Sequence, residues 1–233
     1  MDIRKSDITD QLVLIYTYLF QHYGPQYWWP ADGPFEMMVG AILTQSTSWT
    51  NVEKAIQNLK RTDLLTPAAI RGMDIDLLAA LIHPSGYYHV KAKKLKSLSI
   101  CLGCCQDNLA ELFTRDTQDL RLEFLSVFGI GEETADSILL YAAGKPVFVI
   151  DAYTRRIIDR VGIPVAGTKY SDYQRLFMFN MIPDFQLFRE YHALLVQHGK
   201  TTCRKTPLCG KCGLVDICKT CLTSRKIPRW FDT

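Results

Sequence analysis

LSVFGIGEETADSILLYA, residues 125–142, decides the reading of the chain. Apolar residues on either side recur at helical intervals, and between them stands Gly129-Ile130-Gly131. Glycine at both ends of so short a turn allows positive φ and close backbone approach where a side chain would block it. The pattern predicts two helices joined by a tight hairpin. Its N–H groups at the start of the second helix form a ready site for an anion such as phosphate. Glu133 falls in the first turn of that second helix, where the helix dipole favours a carboxylate.

Outward from the hairpin the same period continues, in Leu12, Ile15 and Leu19, in Met38, Ala41 and Ile42, and in Val52, Ala55, Ile56 and Leu59. VFVI at 147–150 is the one clear strand-like run and is too short to found a sheet. The fold class is therefore all-α, with about ten helices. Starts are expected at Ser6 or Asp7, near Asn51, at Asp116 or Thr117 and at Asp184. The 233 residues are 48% hydrophobic, enough for a substantial core, and the net charge of +3 permits a nucleic-acid partner without demanding one. No apolar run reaches the roughly 18 residues of a membrane span, and the polar start MDIRKSDITD is not an export signal. A cytoplasmic protein, nucleoid-associated in a prokaryote, is expected.

Of eight cysteines, five lie between residues 203 and 221, in a Lys- and Thr-rich segment with too few large apolar residues to fold on its own core. Without an export signal, metal ligation is a better reading than disulfides. Cys203, Cys209, Cys212 and Cys218 follow C-x5-C-x2-C-x5-C. A zinc ribbon usually separates its two pairs by about 15–20 residues. The much shorter separation here favours a cubane [4Fe-4S] cluster, with zinc or simple thiols as the alternatives. Cys221 is left over, either a substitute for Cys218 or a spare thiol. ICLGCC at 100–105 continues a helical pattern, and its cysteines are expected to be buried structural ones.

Asp151 directly follows the buried run VFVI and precedes a probable helix, so it is either a plain N-cap or an acid held at a cleft. The hairpin GIGEETAD, the turn AAGKP, Asp151 and the four-cysteine segment, in this order, resemble the helix-hairpin-helix (HhH-GPD) superfamily of DNA base-excision glycosylases, to which endonuclease III belongs. The resemblance covers nearly the whole chain. It implies that Gly129 and Gly131 bind a DNA phosphate, that Asp151 is essential for breaking the N-glycosidic bond, and that Cys203, Cys209, Cys212 and Cys218 hold a cluster supporting a DNA-binding loop. The first cysteine gap is one residue shorter than in endonuclease III.

Family members that also cut the backbone carry a lysine where this chain has Glu133, and a carboxylate cannot form the Schiff base. The resemblance is thus to the monofunctional branch, in which water is the nucleophile. Adenine-mispair members place a glutamate on the helix corresponding to MVGAILTQ, where this chain has Gly40 and Ala41. Without that general acid, a base that already leaves well is expected, such as an N-alkylated purine. Trp28, Trp29 and Pro30, with Trp49 after Gln45-Ser46-Thr47, resemble the base pocket of the 3-methyladenine DNA glycosylase III branch. A cationic base would stack well there. The other reading is that these tryptophans are core.

For DNA contacts the resemblance points to Gln45 as a side chain inserted into the duplex. Gly86-Tyr87 would form a second wedge, with Lys91, Lys93, Lys94 and Lys96 behind it. Together these expectations describe two helical lobes, residues 34–143 with the hairpin and residues 1–33 plus 144–202, followed by a cluster loop at 203–221. Asp151 would face the cleft between the lobes. The expected activity is that of a monomeric, monofunctional DNA glycosylase acting on a damaged base in double-stranded DNA, such as 3-methyladenine. The alternatives are a bifunctional glycosylase/lyase of endonuclease III type, with Lys145 as one conceivable amine, and a non-catalytic damaged-DNA binder.

Overall fold

The hairpin unit is built around a helix that is apolar on every side. In α2 (Pro34–Leu43), Phe35, Met37, Met38, Val39, Ala41, Ile42 and Leu43 are all buried, as expected for a helix covered all round. A computed structural model describes residues 3–224 of the chain, which divide into two compact units. One is Trp29–Lys145; the other comprises the residues up to Trp28 and from Pro146 onward. Residues 29–33 thus belong with the hairpin, a correction to the assignment of 1–33 to the terminal lobe. The reason is local: the Trp29 indole packs against Gly40, Trp49 and Tyr141.

Around α2 lie α3 (Trp49–Arg61), α6 (Tyr88–Gly103), α9 (Glu132–Ser137) and a π-helical turn, Ile138–Ala142, that continues α9. α3 is strongly amphipathic and buries Val52, Ala55, Ile56 and Leu59, the phase read from the sequence. The short helices α4 (Pro67–Gly72) and α5 (Ile75–Leu81) pack on α6, with Thr66 and Asp74 as caps accepting from Ala69 N and from Asp76 and Leu77 N. α7 (Leu109–Leu112), capped by Asn108, and α8 (Thr117–Ser126), capped by Asp116, lead to the hairpin.

In the other unit α1 (Ile3–Tyr23) packs on α11 (Tyr170–Asn180) and α12 (Phe185–Thr201), and α10 (Ala152–Val161) packs on α12 and α13 (Lys219–Ser224). Phe148 anchors the core: it stacks on Phe177 at 3.8 Å and meets Phe188 and Tyr191 edge-on. VFVI lies in neither a helix nor a strand, and no strand forms among the described residues. Side chains of α11 and its N-cap region take over the ladder bonds. Phe148 N donates to Met178 Sδ, Ile150 N to Tyr170 Oη, and Gln174 Nε2 to Phe148 O.

Among the described residues thirteen α-helical segments form where about ten were expected. The additions include four- to seven-residue helices whose stability comes from caps and packing, too short for periodicity to show. α1 begins at Ile3 rather than at Ser6 or Asp7, and α3 starts close to Asn51, with Ser48 in the N-cap position.

Candidate active site

The hairpin forms as expected, but its two glycines serve differently. Gly129 adopts φ +83°, and a Cβ there would fall 2.3 Å from the Lys94 side chain. Only glycine suits that position. Gly131 has φ −96° and no atom within 4 Å of where its Cβ would be. Its absent side chain leaves open space over the first turn of α9 instead of relieving strain. The two helices are locked by a bidentate ion pair, in which Arg121 of α8 donates Nε to Asp136 Oδ1 (2.6 Å) and Nη2 to Oδ2 (3.0 Å). Asp136 is fully buried. Glu133 is exposed in the first turn of α9, with its carbonyl accepting from Ser137 Oγ.

Gln45 is drawn onto this hairpin. Its Nε2 donates to Gly129 O (3.2 Å) and to Thr134 Oγ1 (2.9 Å), while Lys94 Nζ donates to its Oε1. Three hydrogen bonds thus hold Gln45 at the hairpin, and it is half-buried there rather than an ordinary exposed glutamine. Tyr87 is the exposed tip, 73% accessible at φ +47°, following Gly86 at φ +67°. Lys91 is not a phosphate contact. It is 2% exposed and donates to Leu43 O (2.8 Å) and Ser85 O (2.7 Å), tying the end of α2 to the turn before Tyr87. Burial, with Lys94 adding repulsion, lowers its pKa to about 8. Lys96 is likewise engaged by the Arg71 and Met73 carbonyls, and Lys93 alone of the four is fully exposed.

Of the expected pocket residues, the structure brings Trp29 and Trp49 together, ring centroids 5.2 Å apart and nearly perpendicular. Tyr141, absent from the sequence-based pocket, joins Trp29 at 5.5 Å from the π-helical turn. Trp49 Nε1 donates to Glu53. The Trp29 indole covers Gly40, with Nε1 3.2 Å from where a Cβ would stand. Gly40 thus lies under an indole, and neither it nor its neighbour Ala41 carries a carboxylate. Trp28 belongs to the other unit, under Lys200 Nζ at 5.6 Å from its ring, and Pro30 is exposed.

Asp151 is the N-cap of α10, Oδ1 accepting from Thr154 N at 2.7 Å, so the simple capping role is real. Its surroundings add two groups that the sequence reading missed. His192, buried, and Lys200, exposed at the end of α12, both interact electrostatically with its carboxylate. Desolvation lowers the pKa of each, opposed by that negative charge. Their spacing of eight on one helix face was the available signal.

The C-terminal cysteines line one cavity together with Arg160, His198 and Leu214. Arg160 Nη1 donates to Cys203 Sγ (3.4 Å) and Leu214 N to Cys212 Sγ (3.4 Å). Arg156 and Arg160 hold the loop backbone through the Cys203, Arg204 and Lys205 carbonyls. His198, its pKa lowered to about 4 chiefly by burial, is neutral and has Nε2 3.6 Å from Cys212 Sγ. No three His, Cys, Asp or Glu side chains among the described residues stand at the spacing of a single-ion site. Thiols around one cavity with N–H donors aimed at sulfur are a donor set that fits a four-thiolate iron-sulfur cluster. At 101–105, Cys104 is exposed and Cys101 and Cys105 half-buried. That corrects the expectation of buried cysteines: α6 ends at Gly103, and the turn carries the rest to the surface.

The HhH-GPD superfamily of base excision DNA repair proteins matches residues 39–179. The chain belongs to this superfamily, and within it is a DNA glycosylase, an enzyme of N-glycosyl bonds that binds DNA. It is 45% identical over 216 residues, 92% of this chain and 98% of the relative, to MJ1434 of Methanocaldococcus jannaschii, which carries a provisional assignment as a DNA repair glycosylase. It is 31% identical to endonuclease III of Sulfolobus acidocaldarius, over 82% of this chain and 84% of that one. The H. pylori 3-methyladenine DNA glycosylase MagIII, bound to 1,N6-ethenoadenine, superposes with TM-score 0.71 at 29% identity, over 83% of this chain and 97% of that one. A trapped endonuclease III–DNA covalent intermediate shares the fold, with TM-score 0.79 at 19% identity over 94% and 99% of the two chains.

Proposed function

We propose that this chain is a monofunctional glycosylase that hydrolyses the N-glycosidic bond of an alkylated purine, such as 3-methyladenine, in duplex DNA. The observation that carries this reading is Glu133, a carboxylate in the first turn after the hairpin where a Schiff-base amine would stand. Water is then the nucleophile. Asp151 orients it or stabilises the developing positive charge on the sugar, while His192 and Lys200 set the field around its carboxylate. Gly129 and Gly131 let the hairpin backbone meet a phosphate, and Tyr87 fills the gap left by the flipped nucleotide.

Trp29, Trp49 and Tyr141 present electron-rich rings to a cationic base, and neither Ala41 nor Gly40 offers a carboxylate to protonate a neutral one. The likeness to an alkylpurine glycosylase with an ethenoadenine bound supports this choice. Cys203, Cys209, Cys212 and Cys218 would hold a [4Fe-4S] cluster that fixes the DNA-binding loop, with Arg160 and Leu214 N–H groups on its sulfur ligands. No step of the hydrolysis passes through it. The direct test is Asp151→Asn in single-turnover release of 3-methyladenine. A loss of at least about a hundredfold is expected from removing the group that meets the developing charge, and unchanged release would end the proposal.

A further inference from the structure

Cluster chemistry requires four thiolates, and this cavity holds five cysteines. Cys221 is as much a part of it as the other four. Its side chain is 2% exposed and lines the cavity with the others. Nor does it hang from a free tail. Thr220 Oγ1 donates to Arg160 O (2.9 Å), Leu222 N donates to Cys218 O (3.0 Å), and the Lys219 stem packs against Gly162, where a Cβ would come within 2.9 Å of it. α13 is thereby pinned to the end of α10, with Cys221 facing the cavity. Cys218 touches the same carbonyl, its Sγ 3.2 Å from Arg160 O. Cys218 and Cys221 stand three residues apart across the first turn of α13 and so neighbour each other on one helix face, whereas Cys203, under Arg160 Nη1, and Cys212, under Leu214 N, each have a donor of their own.

We propose that the fourth ligand position is shared by Cys218 and Cys221, which exchange there, while Cys203, Cys209 and Cys212 remain fixed. This rests on the cluster reading above. In the exchange Cys221 Sγ forms the bond to iron as the Cys218 bond breaks, and the Cys221 thiol proton is taken up by the departing Cys218 sulfur. No electron moves and iron keeps its oxidation state. The loss of either thiol therefore leaves a complete ligand set.

The test compares wild type with Cys218→Ser, Cys221→Ser, the double variant and Cys212→Ser, each purified without oxygen. Iron, acid-labile sulfide and visible charge-transfer absorption are measured, with far-UV circular dichroism as the folding control. Both single variants at the shared position are expected to retain about four irons per chain, and the double variant and Cys212→Ser to lose them. An iron-free Cys218→Ser beside a full Cys221→Ser, or the reverse, overturns the proposal by showing one fixed ligand. If Cys218→Ser does not fold, iron loss to a chelator decides: wild type should lose iron more slowly than Cys221→Ser, and equal rates overturn the exchange. Wild type containing zinc or no iron overturns the cluster reading itself, an outcome visible before any variant is made.

Discussion

Arg121→Met tests whether the hairpin is held by its buried ion pair. Asp136 is fully buried and Arg121 is 17% exposed on its side chain, joined by bonds of 2.6 and 3.0 Å. Removing one partner of such a pair leaves an uncompensated buried charge, at a cost of about 3–5 kcal/mol. In a chain of 233 residues each kcal/mol shifts the melting temperature by about 2–4 °C, so the variant should melt about 6–20 °C below wild type. Met preserves the aliphatic stem, which separates charge from packing. Adding Asp136→Asn removes the stranded charge while keeping the shape. The double variant should therefore recover at least about half of the loss. Differential scanning calorimetry measures both, and fluorescence anisotropy on undamaged duplex should show weaker binding by Arg121→Met, because Gly129 and Gly131 are positioned by the same two helices. A single variant within about 1 kcal/mol of wild type, or a double variant no better than the single, would refute the view that this pair orders the hairpin.

Three further outcomes follow from the geometry. Glu133→Lys restores an amine at the lyase position and should yield strand nicking without alkali and a borohydride-trapped adduct, read on a denaturing gel. Gly129→Ala places a Cβ 2.3 Å from Lys94 at φ +83°, so it should lower both the melting temperature and duplex affinity, whereas Gly131→Ala, with open space around it, should reduce affinity alone. Lys91, held near 8 against its ordinary 10.5, binds its proton less tightly folded than unfolded. Its penalty of about 3 kcal/mol applies in full below pH 8 and disappears as the pH rises to 10.5. Wild-type stability relative to Lys91→Met should therefore increase across that window in urea titrations, and a flat difference would contradict the burial.

The fold class was legible because the helices carry their phase openly, as in Val52, Ala55, Ile56 and Leu59. The hairpin was legible because Gly129 obeys a backbone constraint. Asp151 could be picked out because VFVI ends at it and the buried core fixes that end. Lys91 was misread although the signal was present: it shares the helical phase of Leu95, Leu98 and Leu102, all buried, which puts it on the core face of α6. A lysine run suggests a solvated surface, and two carbonyls from distant turns overrode that prior. Tyr141 was missed because the π-helical turn shifts its phase from that of α9, a change that no 3.6-residue period predicts. The engagement of Gln45 with Gly129 and Thr134 joins residues more than eighty positions apart and leaves no local trace. Neighbouring Trp28 and Trp29 read as one motif, but the boundary between the two units falls between them.

The central claim is that a carboxylate at 133 and an acid at 151 make a glycosylase without lyase activity, acting on an alkylated base. Base release from duplexes carrying methylated, deaminated, oxidised or mispaired bases, with strand scission scored before and after alkali, tests it directly. The account predicts release of methylated purine with nicking only after alkali, abolished in Asp151→Asn. Nicking before alkali, trapped by borohydride, or release confined to oxidised pyrimidines, would contradict it.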